Sequence, residues 1–170
     1  MSLTTDHREA AFATLYEQCY GAIHAYAARR VGIDAADEVA AETFLVAWRR
    51  FDAMPAPPLP WLYGVARNVV LRHHETTHRE TLARAAAERE RPGPIPEAAE
   101  DPAIWDAWNR LRVSDREVLA LIAWEELTVA EAARVLGCPA PQFSVRLFRA
   151  RRRLEHLLAA HAAPVNPSEA

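Results

Sequence analysis

The chain has 170 residues, 51% of them apolar and only 5 of them glycine, a length that suits one ordinary domain or two small ones. Alanine and leucine dominate the apolar set, which favours packed helices over sheets, because strands draw on β-branched and aromatic residues that are thin here. The net charge of −3 excludes a uniformly basic nucleic-acid binder, and no apolar run approaches the roughly 20 residues that span a bilayer. The opening Met-Ser-Leu-Thr-Thr-Asp has no basic segment followed by an apolar one, so a cytoplasmic protein without membrane contact is expected.

Charge is distributed unevenly. All 20 basic residues are arginine, and Arg146, Arg149, Arg151, Arg152 and Arg153 fall within eight positions. A globally acidic chain with one basic helix is expected to bind DNA weakly alone and to take affinity from a larger partner. Cys19 and Cys138 lie far apart with no cysteine neighbour, which argues against a disulfide framework or zinc knuckle and for two small apolar side chains.

In chain order, a first helix is predicted from about Asp6 to Arg30, with Phe12, Leu15, Tyr16, Cys19, Ile23 and Tyr26 at helical spacing and Gly32 as its breaker. A second starts after Asp34 and carries Val39, Phe44, Leu45 and Trp48 on its apolar side, with Asp37, Glu38 and Glu42 in its early turns. Met54 to Pro60 is expected to be a stiff loop, since four of its seven residues are proline. The third helix is predicted from near Pro60, with Leu62, Val65, Ala66, Val69 and Val70 inward.

Residues 88–101, with Pro92, Gly93, Pro94 and Pro96 and an acidic end, have linker composition. Fully stretched, they reach about 46 Å at ~3.3 Å per residue. Two tethered units can then touch DNA sites more than one helical turn apart, a turn being about 34–36 Å. Four helices are predicted beyond: one from Pro102 to near Arg112, one begun by a capping box at Ser114 and Glu117, one begun by a second box at Thr128 and Glu131, and one from about Ala140 to Ala160. The end, 163–170, is expected to be disordered.

Thr128 to Arg153 carries the sharpest signal. A short capped helix ends at Gly137, Cys138 and Pro139 follow, and a basic helix begins at once. Helix, glycine turn and basic helix is the helix-turn-helix arrangement. At about 100° per residue, Phe143, Leu147, Ala150 and Leu154 form the packing stripe. Gln142, Val145, Arg149 and Arg152 lie opposite it, flanked by Arg146 and Arg153. Arginine suits that face, because its planar fork can bridge two acceptors of guanine or clamp a phosphate.

Leu111 to Leu121, Leu127 to Gly137 and Val145 to Leu154 together resemble the fourth domain of RNA polymerase sigma factors. Asp37 to Trp48 is similar to that family's polymerase-binding helix in sigma domain two, and Trp61 to Asn68 to the helix that approaches the downstream promoter element. Both motif sets occur in the family's order, so the chain resembles the small extracytoplasmic-function type of the sigma-70 family.

The resemblance implies an all-α fold of two small helical domains joined by a Pro-rich linker: domain two over 1–87, linker 88–101, domain four over 102–162 and a tail over 163–170. It implies an upstream-element surface of Gln142, Ser144, Val145, Arg146, Arg149, Arg152 and Arg153. It implies a downstream-element surface of Trp61, Tyr63, Arg67, Asn68 and Arg72, with the two aromatics stacking on unpaired bases. Asp37, Glu38, Glu42 and Trp48 would bind polymerase. Expected partners are core RNA polymerase, promoter DNA and an anti-sigma factor; no cofactor, metal or catalytic residue is expected.

Three positions depart from the family pattern: Ala41 in place of a glutamine, a 52–60 loop devoid of arginine, and Ala140-Pro141-Gln142-Phe143-Ser144 opening the last helix. Two other readings compete. One is a stand-alone helix-turn-helix regulator, which leaves the N-terminal motifs unexplained. The other is a metalloprotein on His73, His74 and His78, where His74 to His78 spells His-Glu-x-x-His without an evident third ligand.

Overall fold

The computed structural model describes residues 2–84 and 102–162, with side chains described for 6–79 and 102–161. The predicted linker and tail lie outside the described residues. The described chain forms seven α-helices and one short 3-10 turn.

The first three helices make one packed unit. Helix α1 (Ser2–Val31) buries Leu15, Cys19, Ile23, Tyr26 and Ala27, a stripe that recurs every three or four residues and widens at its C-terminal end. It stops at Gly32, whose φ of 85° no β-carbon tolerates well, and α2 (Ile33–Arg49) starts at once. Helix α2 turns Ala36, Val39, Ala40, Thr43, Phe44 and Ala47 inward. Thr43 is tolerated there because its hydroxyl donates to the Val39 carbonyl at 2.7 Å. After a 3-10 turn (Phe51–Ala53), α3 (Pro58–Arg84) buries Leu62, Tyr63, Ala66, Val69 and Val70.

Helix α3 begins two residues before the predicted Pro60. Pro58 and Pro60 both fall in its first turn, where backbone N–H groups have no helical acceptor, so their missing donors cost nothing. The stiff loop is correspondingly shorter than expected.

The second unit comprises α4 (Pro102–Arg110), α5 (Val113–Ala123), α6 (Val129–Leu136) and α7 (Ala140–Ala162). Its core gathers Trp108, Val118, Leu121, Ala132, Ala133, Phe143, Leu147 and Ala150, with the Trp108 and Trp124 rings 4.8 Å apart. The predicted capping box at Ser114 does not form. Helix α5 starts two residues earlier than that box requires, at Val113, and its cap residue Arg112 makes no side-chain capping bond. Glu117, the would-be reciprocal partner, is drawn instead to Arg30 of α1.

The second predicted box does form. The Thr128 hydroxyl accepts from the Glu131 N–H at 3.3 Å, while the Glu131 carboxylate accepts from the Thr128 N–H at 2.9 Å and from its hydroxyl at 2.6 Å. Those bonds hold the Glu131 carboxyl below its ordinary value. Its contribution is therefore present above the usual carboxylate range and fades as pH falls through the lowered value. Thr128→Ala is expected to cost about 1 kcal/mol in denaturant unfolding; an unchanged midpoint would contradict the cap.

Candidate nucleic-acid interface

Helix α6 ends in Gly137, left-handed at φ 65°, with the Cys138 N–H reaching the Ala133 carbonyl at 3.0 Å and the Gly137 N–H reaching Arg134 at 3.1 Å. This pair of bonds terminates a helix and turns the chain sharply. Helix α7 then starts within three residues, with Pro141 in its first turn.

The faces of α7 divide as the sequence predicts. Phe143, Leu147 and Ala150 are buried and Leu154 is partly so, whereas Gln142, Ser144, Val145, Arg149, Arg151 and Arg152 are exposed. The Ser144 hydroxyl donates to the Ala140 carbonyl at 3.0 Å, leaving its lone pairs outward. Arg146 is half-buried on the flank. Arg153 differs from its neighbours: its guanidinium donates to Asp115 of α5 at 2.6 Å, a bond that ties α7 to α5 and holds Asp115 in a buried setting. Arg153 is thus partly committed to the fold, although nearly half its side chain remains exposed. Phe148, 65% exposed, adds an apolar group beside the arginines that periodicity alone did not mark.

On the first unit the predicted downstream-element residues separate. Trp61, Arg67, Asn68 and Arg72 line a cleft of about 540 Å³ beside Arg50 and Gly64. Tyr63 does not join them. It is 3% exposed, its ring 5.3 Å from that of Tyr26, and burial pushes its hydroxyl well above the ordinary tyrosine range. Its ring packs on α1, and its hydroxyl is hydrogen-bonded to Glu125 of the second unit. Tyr63 is thus buried where the first unit meets the second, apart from the four residues of the cleft.

The acidic residues of α2 are exposed or nearly so, and two already have partners. Asp37 accepts from the Tyr20 hydroxyl at 2.8 Å and lies 3.3 Å from the His24 ring nitrogen. Glu42 pairs with Arg72, which joins a predicted polymerase contact to a predicted DNA contact. Glu38 is exposed. Trp48 is half-buried: the Phe12 ring meets it edge-on at 5.0 Å, and the Arg8 guanidinium lies 4.4 Å from its centroid.

His73, His74 and His78 all lie on α3. Among the described residues no group of three or more His, Cys, Asp or Glu side chains is placed to hold a metal, and no helix is long and apolar enough to cross a membrane.

Sequence reasoning missed one feature, a buried ion cluster between the two units. Arg29 donates to Glu125 at 2.6 Å; Arg30 donates to Glu117 at 3.0 and 3.2 Å and to Glu125 at 3.2 Å. Arg29, Arg30 and Glu125 are each less than a tenth exposed. The Arg30 guanidinium also lies 3.5 Å from the Tyr26 ring centroid. Burial pushes the Glu125 carboxyl above its ordinary value, while Arg30 and Arg29 pull it back. Partners some 90 residues apart leave no periodic or motif signal, so a single sequence offers no route to them.

Comparison with known proteins agrees with both units. The family model for sigma-70 region 2 matches residues 15–80, and that for sigma-70 region 4 matches residues 102–154. The ECF RNA polymerase sigma factor BldN of Streptomyces coelicolor is 33% identical over 159 residues, covering 87% of this chain and 60% of BldN. RNA polymerase sigma factor NccH of Alcaligenes xylosoxydans xylosoxydans is 30% identical over 155 residues, 83% of either chain. The structure of CnrH in complex with the cytosolic domain of CnrY superposes with a TM-score of 0.63 at 27% identity, covering 91% of both chains.

Proposed function

The chain belongs to the RNA polymerase sigma factors of the sigma-70 family, extracytoplasmic-function type, and we propose that it directs core RNA polymerase to specific promoters in the cytoplasm. The observation that carries this reading is the exposed arginine face of α7, set on a capped, glycine-terminated α6. Side chains on such a face reach base edges and phosphates when the helix enters the major groove.

In this reading Gln142, Ser144, Val145, Arg146, Arg149 and Arg152 meet the upstream element, and the free part of Arg153 adds a phosphate contact. Trp61, Arg67, Asn68 and Arg72 meet the downstream element, where Trp61 offers a stacking face to an unpaired base. Asp37, Glu38, Glu42 and Trp48 on α2 dock on core polymerase through acidic complementarity. The roles divide at the predicted boundaries, with 1–87 serving polymerase and the downstream element and 102–162 the upstream element. The protein contributes specificity and carries out no catalysis of its own. An anti-sigma chain is the remaining expected partner; CnrH, seen with the cytosolic domain of CnrY, offers a parallel of a second chain held on the same fold.

The test is Arg149→Ala in holoenzyme footprinting on a mapped promoter. Loss of a base contact is expected to cost ~1–3 kcal/mol of promoter affinity and to relax specificity at one position; a phosphate contact would instead lower affinity evenly across sequences. An unchanged footprint in both Arg149→Ala and Arg146→Ala would remove α7 from the interface. Separately, Glu38→Arg with Glu42→Arg is expected to weaken capture of core polymerase. The exposed Glu42–Arg72 pair lost alongside is worth only about 0–1 kcal/mol, so the fold survives the change. Equal capture would remove this acidic patch from the docking surface.

A further inference from the structure

We propose that the cleft between the end of α2, the start of α3 and the C-terminal end of α6 binds a small phosphorylated ligand of the nucleoside diphosphate class. Arginines of the cleft take its phosphates and Trp61 takes its base. The site is read from the cleft itself and needs no role for this chain in transcription.

The cleft gathers charge of one sign. Arg50 after α2, Arg67 and Arg72 on α3 and Arg134 on α6 all line it, and no Asp or Glu of the described residues does. In a chain of net charge −3, four guanidiniums around a cavity of about 540 Å³ repel one another when nothing lies between them. A cleft so lined focuses positive potential and concentrates anions. Arg72 is engaged with Glu42. Arg50, Arg67 and Arg134 make no ion pair among the described residues. The Arg134 Nε donates to the Ala130 carbonyl of its own helix at 3.4 Å, which leaves the two terminal nitrogens of the fork for a ligand.

Phosphate is the anion that suits such forks, because a planar guanidinium grips two of its oxygens at once. A single phosphate group carries about −1.5 to −2 near neutral pH, less than three unengaged guanidiniums can balance. Two linked phosphates match them better.

The rest of the lining suits a nucleoside. Trp61 is partly exposed and offers an aromatic face on which a base stacks. Asn68, exposed beside it, carries both a donor and an acceptor, the pair that reads a base edge or a sugar hydroxyl. Val46, Val65 and Leu136 add apolar wall, and the volume falls in the range of roughly 300–1,000 Å³ typical of small-ligand sites. Gly64 completes the shape. A β-carbon there would meet nothing within 4 Å, so the absent side chain leaves open space on the α3 wall. Glycine inside a helix is less stable than alanine, and room for a ligand is what it provides here.

Titration calorimetry of the intact chain at low salt tests the site, with ADP, GDP and inorganic pyrophosphate as probes. At least one of the two nucleotides is expected to bind at one per chain. Pyrophosphate is expected to bind about tenfold or more weaker, having no base to stack. Arg134→Gln should weaken nucleotide binding about tenfold or more. Arg134 belongs to neither proposed promoter surface, so that loss cannot be ascribed to a DNA site. Gly64→Leu, which fills the cleft and favours helix, should abolish binding with far-UV circular dichroism unchanged and melting temperature no lower than wild type. Arg151→Gln, exposed on α7 and outside the cleft lining, should bind as the wild type does.

Absence of binding by both nucleotides would overturn the site. So would pyrophosphate as tight as the nucleotides, which gives the base no part in binding. Equal losses in Arg151→Gln and Arg134→Gln would reduce the effect to diffuse charge attraction and overturn it too, as would wild-type affinity in a folded Gly64→Leu. Arg134→Gln, a change at an exposed position, keeps the test decisive if Gly64→Leu loses helix. None of these results bears on promoter-directed transcription, which is measured separately.

Discussion

Phe143→Ala is expected to lower stability by about 3–5 kcal/mol, the range for removing a fully buried phenylalanine. Phe143 is wholly inaccessible and sits on the first turns of α7, where the helix meets the core formed by α5 and α6. Deleting the ring leaves a cavity where α7, the proposed recognition helix, packs on its unit through Phe143, Leu147 and Ala150. For a chain of this size the change amounts to a fall of about 6–20 °C in melting temperature. Upstream-element binding should fall with it, while capture of core polymerase through α2 persists. A melting curve that overlays the wild type would show that α7 is not seated through Phe143.

Phe44→Ala is the complementary case and is expected to cost a similar ~3–5 kcal/mol. Phe44 is 3% exposed and lies under an aromatic cluster, with ring centroids 4.7 Å from Tyr16, 6.3 Å from Tyr20 and 6.4 Å from Phe12. These rings fix α2 against α1 and so fix where Glu38 and Glu42 point. Loss of Phe44 should therefore weaken polymerase capture without touching any residue proposed to contact DNA. Retained capture at wild-type affinity, measured at a temperature where the variant is folded, would show that the orientation of α2 does not govern docking.

The parts of the molecule governed by short-range physics were legible in the sequence. Thr128 and Glu131 satisfy each other within one turn, Gly137 supplies the left-handed backbone that ends α6, and the Phe143–Leu147–Ala150 stripe follows from helix geometry. Propensity arguments failed where a distant partner outbid a local one. Ser114 and Glu117 have capping-box spacing, yet Glu117 gains two charge-assisted bonds from Arg30, stronger than a neutral cap contact, and the helix starts elsewhere.

The burial of Tyr63 was out of reach for a related reason. An aromatic within a motif reads alike whether it faces solvent or protein, and for Tyr63 the packing of α3 on α1 and the approach of Glu125 decide between the two. Pro58 was misplaced because a proline run reads as a loop even where its last members begin a helix. The Arg29–Arg30 cluster lay beyond reach altogether, since its partners Glu117 and Glu125 lie some 90 residues further along the chain.

The proposed assignment comes down to whether this chain confers promoter choice on a polymerase that lacks it. Purified chain should be added to core RNA polymerase from the same cell, and transcripts from genomic DNA sequenced at their 5′ ends. Discrete start sites sharing two upstream sequence blocks, present only with the chain and lost with Arg149→Ala and Arg146→Ala together, are the predicted result. A transcript profile indistinguishable from that of core polymerase alone would contradict it.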